Sequence, residues 1–260
     1  MADVTVSTFA EFYEAVQVSG NTIICPSGAV WDMNEIDPLN EIQSISVKSD
    51  VVGNGTTIKN FRGDEISISA NRTIDQLHME NFYLGSNKSF SAPNNSASYI
   101  TKSRISCQLG MNVEVFLANV IPTQCAINVA FQKSGENDIR WSYTNSPHVG
   151  RYNRIKANCP NATILNDAKW DISDSEIIID APLATRIYRL YLTNCTIRGD
   201  LQSLTSSAAS SAARDFNVIT GVSDSFPDYA ESGVLVKVTD AQMRDAAYLQ
   251  SIGFQIGSDA

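Results

Sequence analysis

Six short stretches decide the fold: Thr56-Thr57-Ile58-Lys59-Asn60-Phe61, Leu77-His78-Met79-Glu80-Asn81-Phe82, Tyr99-Ile100-Thr101-Lys102-Ser103-Arg104, Val115-Phe116-Leu117-Ala118-Asn119-Val120, Trp170-Asp171-Ile172-Ser173-Asp174-Ser175 and Leu190-Tyr191-Leu192-Thr193-Asn194-Cys195. Each alternates apolar and polar residues and then reaches Asn, Asp or Ser, which is the pattern of a short strand running into a tight corner. The polar anchors fall at positions 60, 81, 103 and 119 and again at 174 and 194, so the unit recurs roughly every twenty residues. Between 119 and 174 the register blurs, with partial copies near Asn145 and Asn158. A recurrence of this kind is read as a repeat before anything else is inferred from it.

Alternating residues in so short a period predict strands joined by tight corners. Asn suits those corners because it tolerates left-handed backbone and bonds locally. Successive turns of such a chain stack at about 4.8 Å per rung. No single turn can bury its inward Ile, Leu and Val, but stacked neighbours can. Asn side chains at matched positions can bond to one another up the stack. Evenly spaced strands of a β-sandwich would show the same alternation, so the period alone leaves that architecture open.

Outward from the repeat, Phe9, Phe12, Tyr13 and Val16 fall at helical spacing behind Ser7 or Thr8, which predicts a short amphipathic helix serving as a lid, followed by a strand over Thr22-Ile23-Ile24-Cys25-Pro26. On the other side, residues 203–215 are rich in Ser and Ala without an apolar period and read as a linker. Strand patterns follow at Phe216-Asn217-Val218-Ile219-Thr220 and Val234-Leu235-Val236-Lys237-Val238. Thr239-Asp240-Ala241-Gln242 then has the form of a capping box that starts a helix from Asp240 to Ser251, ending at Gly253. Met243, Ala246, Ala247 and Ile252 lie near one face of that helix and are the candidate assembly contact. The domain reading is therefore a body over 1–202, a linker over 203–215 and a docking segment over 216–260.

The opening helix, Gly53-Asn54-Gly55-Thr56-Thr57-Ile58-Lys59-Asn60 and the turn Asn194-Cys195-Thr196-Ile197 resemble the right-handed parallel β-helix of the pectin-lyase-like superfamily over roughly residues 5 to 202. The fold class that follows is all-β: a single-stranded right-handed parallel β-helix with an N-terminal capping helix and a small C-terminal strand-plus-helix segment.

Composition agrees. The 260 residues are 43% hydrophobic and 18% charged, with Asn 21, Ser 30, Thr 16, Ile 25 and Val 18, a β-rich and turn-rich usage. A net charge of -9 without a Lys/Arg cluster removes the attraction that nucleic-acid binding needs, so no nucleic acid is expected as a partner. No apolar run reaches membrane-spanning length, so no membrane partner is expected either. Cys25, Cys107, Cys125, Cys159 and Cys195 show no metal-ligand spacing and read as reduced thiols. The start Met1-Ala2-Asp3-Val4-Thr5 has neither a basic nor an apolar leader region, which points to synthesis in a reducing cytosol.

Catalytic constellations are sparse. Asp171, Asp174 and Glu176 alternate with Ile172 and Ile177 as solvated strand and turn residues would. Arg154-Ile155-Lys156 is similar to the Arg-Ile-Lys of polygalacturonases, but that family's Asn-Thr-Asp, Asp-Asp and Gly-His-Gly do not occur here. His78 and His148 have no Cys, Asp or Glu at ligand spacing, and Gly53-Asn54-Gly55 lacks the third glycine of a dinucleotide fingerprint. No catalytic residue, metal ligand or cofactor is assigned. Trp141 and Tyr143 alternate on one strand face in the blurred region and are the candidate carbohydrate-binding pair.

Parallel β-helices of this resemblance are secreted enzymes or bacteriophage spikes and fibres. With a cytosolic start, free thiols and no catalytic set, the expectation is a non-enzymatic structural or adhesive protein of a bacteriophage virion. It would be located in the particle after synthesis in the host cytoplasm, partnered by other virion proteins, as a homotrimer by the same resemblance, and in contact with host-surface polysaccharide. The alternative is a carbohydrate-active enzyme, a polysaccharide lyase or glycoside hydrolase, of the same fold.

Overall fold

The structure, a computed structural model, describes residues 2–85, 90–93, 98–110, 116–118, 120–131, the strand segments 150–151, 154–158, 164–165, 170–173, 176–180, 186–187, 190–193, 196–199 and 217–220, and residues 235–253. All of its strand pairs are parallel among the described residues. The strands fall into a nine-stranded first sheet that begins at Asp3–Thr5, an eleven-stranded second sheet that begins at Val30–Asp32, a four-stranded third sheet that begins at Ser44–Val47, and a two-stranded pair, Ile164–Leu165 with Arg186–Ile187. Through most of the body the chain passes from one sheet to another between strands, and each strand pairs with its equivalent one coil later. The chain is a parallel β-helix, with few and short helices.

Inward positions make continuous apolar columns. In the second sheet Trp31 pairs with Ile58, Ile58 with Met79, Met79 with Ile105 and Ile105 with Ile127, and all five are buried. In the first, Ile23, Val51, Ile74 and Ile100 do the same. The third sheet adds Ile45, Ile66 and Phe90. Burying each such side chain contributes about 1.5–3 kcal/mol, realised only when the next coil covers it.

The register corrects the even period. The column that starts at Trp31 continues through Ile58, Met79, Ile105, Ile127 and Ile155, and over this stretch longer and shorter coils alternate, Ile127 to Ile155 being the longest; beyond it the steps to Ile177, Ile197 and Ile219 are short and nearly even. The anchors at 60, 81, 103, 119, 174 and 194 are not one series. The strands Thr57–Lys59 and His78–Leu84 belong to the second sheet, Ser98–Thr101, Trp170–Ser173 and Leu190–Thr193 to the first, and Phe116–Ala118 to the third. Every strand that runs into a corner looks alike in sequence, so the motif recurs at all corners and its spacing mixes them. The blurred interval coincides with the long coil from Ile127 to Ile155.

The corners use left-handed backbone, at Asn54 and Asn71 as Asn-rich turns predict, but also at Gln76, Lys102 and Gln124, which follow first-sheet strands. Asn60 and Asn81 instead adopt it within the second sheet, Asn81 at the register shift inside His78–Leu84. Buried hydroxyls line other corners. Ser98 is fully buried, donates to the Ser69 carbonyl at 2.8 Å and accepts from the Arg72 N–H, while Ser103 donates to the Thr101 carbonyl at 2.9 Å.

The lid helix is Phe9–Val16, with Thr8 and Glu11 closing a capping box. It buries Phe9, Phe12 and Val16, and its rings meet Trp31 at 6.0 Å (Phe9) and 5.3 Å (Phe12). A strand that the sequence reading lacked, Asp3–Thr5, precedes it and pairs with Thr22–Ile24. A second short helix, Met33–Ile36, is capped by Asp32.

At the other end, Asn217–Thr220 and Leu235–Lys237 extend the second sheet beyond Thr196–Gly199. The helix expected from Asp240 to Ser251 is instead two, Asp240–Met243 and Ala246–Ser251. Asp245 causes the break by capping the second helix, accepting from the Tyr248 N–H at 3.1 Å. The expected Thr239–Gln242 capping box is present, and the chain turns at Gly253 with φ 91.

Candidate functional site

Among the described residues, the outward face of the second sheet and its flank on the first carry the main concentration of polar side chains. Asp32 and Lys59 occupy partnered positions and form an ion pair of 2.9 Å, and Glu80 follows Lys59 in the same row. Asn60, the next residue along, donates to Asp32 Oδ1 at 2.8 Å, and Asn81 donates to Asn60 Oδ1 at 2.6 Å. This Asp-Asn-Asn ladder climbs three coils and ends where the Asn81 N–H meets the Ser106 hydroxyl at 2.7 Å. The Asn60 bond and the Lys59 ammonium together hold the Asp32 carboxyl below its ordinary range, and Lys59 is correspondingly raised by Asp32.

Three further acids on these sheets, Glu80, Asp50 and Asp75, bond across coils in the same way, whereas Asp37 accepts the Glu41 and Ile42 N–H of its own segment. Glu80 pairs with Arg104 at 2.8 Å, Asp50 with Arg72 at 3.5 Å, and Asp50 also accepts the Thr73 N–H at 2.8 Å. Asp75 accepts the Thr101 hydroxyl at 2.6 Å. For these three the partner lies on the next coil. Exposed pairs of this kind are worth about 0–1 kcal/mol each, so their contribution is register more than stability.

His78 sits among these groups. Its Nδ1 accepts the backbone N–H of Arg104, on the following coil, at 3.1 Å, which requires that nitrogen to be unprotonated. Partial burial, and then the Arg104 guanidinium, push its pKa below the ordinary histidine value, against a smaller opposite pull from Glu80. A depressed folded pKa means that the unfolded chain binds the proton more readily, so stability is fully present above about pH 6.5 and is lost as pH falls through the lower folded value. The denaturation midpoint is expected to drop between about pH 7 and pH 5, and His78→Gln, whose amide oxygen can accept the same N–H, is expected to flatten that slope in urea titrations. An unchanged slope in the variant would assign the effect elsewhere. Below the histidine range, Asp32 adds a second loss as pH falls through the carboxylate range, because its folded pKa is also depressed.

The structure places the other candidates as follows. Trp141, Tyr143 and His148 lie outside the described residues, as do Asp174 and the linker at 203–215. Asp171 and Glu176 fall on different sheets, in Trp170–Ser173 of the first and Glu176–Asp180 of the second. Arg154 and Lys156 stand in register with Glu176 and Ile178 on one side and with Ala126 and Asn128 on the other. Met243 and Ile252 pack against the buried pair Val238 and Leu249 of their own chain, together with Val236 and Tyr248, whereas Ala246 and Ala247 are exposed.

Cys25, Cys107 and Cys125 are free thiols in the core, and burial pushes Cys25 up to about 12 and Cys125 to about 11, with Cys107 higher still. They are unreactive packing residues. No group of three or more His, Cys, Asp and Glu arranged to hold a metal occurs among the described residues, and no helix there is long and apolar enough to cross a membrane. No protein-family model, curated protein or solved structure matches the chain.

The sequence reading missed the inter-coil charge pairs. Their signal is opposite charge one coil apart, Asp32 with Lys59 and Glu80 with Arg104. It can be seen only once the unequal coil lengths are known.

Proposed function

We propose that the protein is a non-enzymatic structural and adhesive component of a bacteriophage particle, a β-helical rod on the head or tail that meets other virion proteins and host-surface glycan. The observation that carries the reading is the use made of the outward acids. Asp32, Asp50, Asp75 and Glu80 each bond to the following coil instead of converging on a common point. A hydrolase or lyase needs carboxylates or cation ligands held together and poised for a substrate. A rod needs polar side chains that fix one coil on the next, and these acids are placed to do that. The free thiols and the acidic net charge fit assembly inside a host cell.

The test is a mass-spectrometric inventory of purified virions from the phage system that encodes the chain. Its peptides are expected in the particle fraction in proportion to other structural proteins. Confinement of the chain to the soluble lysate overturns the proposal.

A further inference from the structure

Tyr83 occupies an unusual position on the outer face of the second sheet. It pairs with Arg62 on the preceding coil and with Gln108 on the following one, and all three point outward and are exposed. Just past the ends of these strands, the next position on successive coils is Asp64, Gly85 and Gly110, tied by the Gly85 N–H to the Gly63 carbonyl at 3.1 Å and by the Gly110 N–H to the Leu84 carbonyl at 2.8 Å. The glycines leave that position without side chains on two successive coils, and the tyrosine lies over the gap. A Cβ on Gly85 would sit 3.4 Å from Tyr83 Cε1, and one on Gly110 would sit 2.9 Å from Tyr83 Oη. Asp64 Oδ1 flanks the same notch, 3.7 Å from the Gly85 position.

Gly85 and Gly110 directly follow the strands His78–Leu84 and Arg104–Leu109, and two glycines stacked at those strand ends leave the backbone open to close approach by another group. Here the ring takes up that space on one side, while 39% of the residue stays open to solvent on the other. The result is an aromatic surface held down by the backbone, rimmed by a guanidinium, a carboxylate and a carboxamide. Apolar partners would find no greasy border around it, since Arg62, Asp64 and Gln108 are all exposed. A pyranose fits it: one C–H face for the ring and hydroxyls at the edge for planar donors and acceptors.

The geometry points to a saccharide-binding platform on this face, in which the Tyr83 ring stacks on a pyranose and Arg62 and Gln108 hydrogen-bond its hydroxyls beside Asp64. The inference rests on the adhesive part of the proposed function and gives it a site among the described residues.

Saturation-transfer NMR with the full chain and a panel of soluble hexose, N-acetylhexosamine and uronic-acid oligosaccharides tests it. At least one probe is expected to bind, with Tyr83→Phe within about twofold of the parent and Tyr83→Ala weaker by about tenfold, since only the latter removes the ring. Gly110→Ala, whose methyl would crowd the tyrosine hydroxyl at 2.9 Å and the Gly85 Cα at 3.1 Å, is expected to weaken the same probe several-fold. Circular dichroism and thermal melting confirm that each variant remains folded. Binding that survives Tyr83→Ala unchanged overturns this site while leaving glycan adhesion in place. Absence of binding by every probe also overturns it, and the virion inventory then decides the structural reading by itself. Binding through Tyr83 in a chain missing from particles keeps the site and removes the virion assignment.

Discussion

Phe12→Ala is expected to lower the unfolding free energy by about 3–5 kcal/mol, the range for removing a fully buried aromatic ring whose neighbours cannot close the gap. Phe12 is 1% exposed, and its ring lies 6.1 Å from Phe9 and 5.3 Å from Trp31. These rings cover the first rung of the second-sheet column, where Trp31 has a following coil in Ile58 but depends on the helix for its other cover. In a stacked-coil protein the terminal unit protects every unit behind it, so loss of the lid weakens the rung on which the others rest. Urea titration followed by circular dichroism measures the effect. Glu14→Ala, on the exposed side of the same helix, is the control and should change stability by no more than about 0.5 kcal/mol. A Phe12→Ala loss no larger than the control's would mean that the helix does not close the end of the rod.

The features legible in the sequence were those set by local chemistry. Ser7 or Thr8 marks where the first helix starts, with Thr8 the cap in the structure, and Phe9, Phe12 and Val16 fix the face that it buries. Alternation fixes that Ile58, Met79 and Ile105 point inward, and the appearance of Asn at corners is borne out at Asn54 and Asn71. Legibility stops where a decision belongs to the stack. Whether Asn81 and Ser103 are equivalent depends on a short coil, Ile58 to Met79, lying next to a longer one, Met79 to Ile105, and no local pattern encodes that difference. Gln76, Lys102 and Gln124 adopt left-handed backbone that their own side chains do not favour. Hydrogen bonds from the neighbouring coil hold the first two there: the Gln76 N–H to the Thr101 carbonyl at 2.9 Å and the Lys102 N–H to the Thr123 carbonyl at 3.0 Å. The Asp240 to Ser251 helix was divided for the opposite reason, a local signal at Asp245 that an apolar-face reading passes over. The polar face stayed hidden for the same reason as the register. Its ion pairs, and the notch under Tyr83, exist only between coils.

Gly53→Ala is expected to cost about 3 kcal/mol, at the upper end for forcing extra atoms into a packed site, because the added methyl has no flexible neighbour to displace. It would overlap the Gln76 carbonyl oxygen and come within 2.5 Å of the Leu77 nitrogen, both backbone atoms of the next coil. That contact is itself the stacking bond of the corner: the Gly53 N–H donates to the Asp75 carbonyl at 2.7 Å, and the Gly55 N–H to the Gln76 carbonyl at 2.9 Å. To admit the methyl, the corner at Gln76 must move outward, which stretches both bonds and lifts the buried Thr56 hydroxyl from its Pro26 acceptor. Gly28→Ala separates crowding from backbone preference. Gly28 has φ 63 and nothing within 4 Å of an added Cβ, so it should show only the left-handed penalty, about 1 kcal/mol. Equal losses in the two variants, read from the same denaturation curves, would mean that coil-to-coil approach at this corner is looser than the Gly53 contacts require. A threefold difference would identify the corner as a place where the rod's rise per turn is fixed by the absence of a side chain.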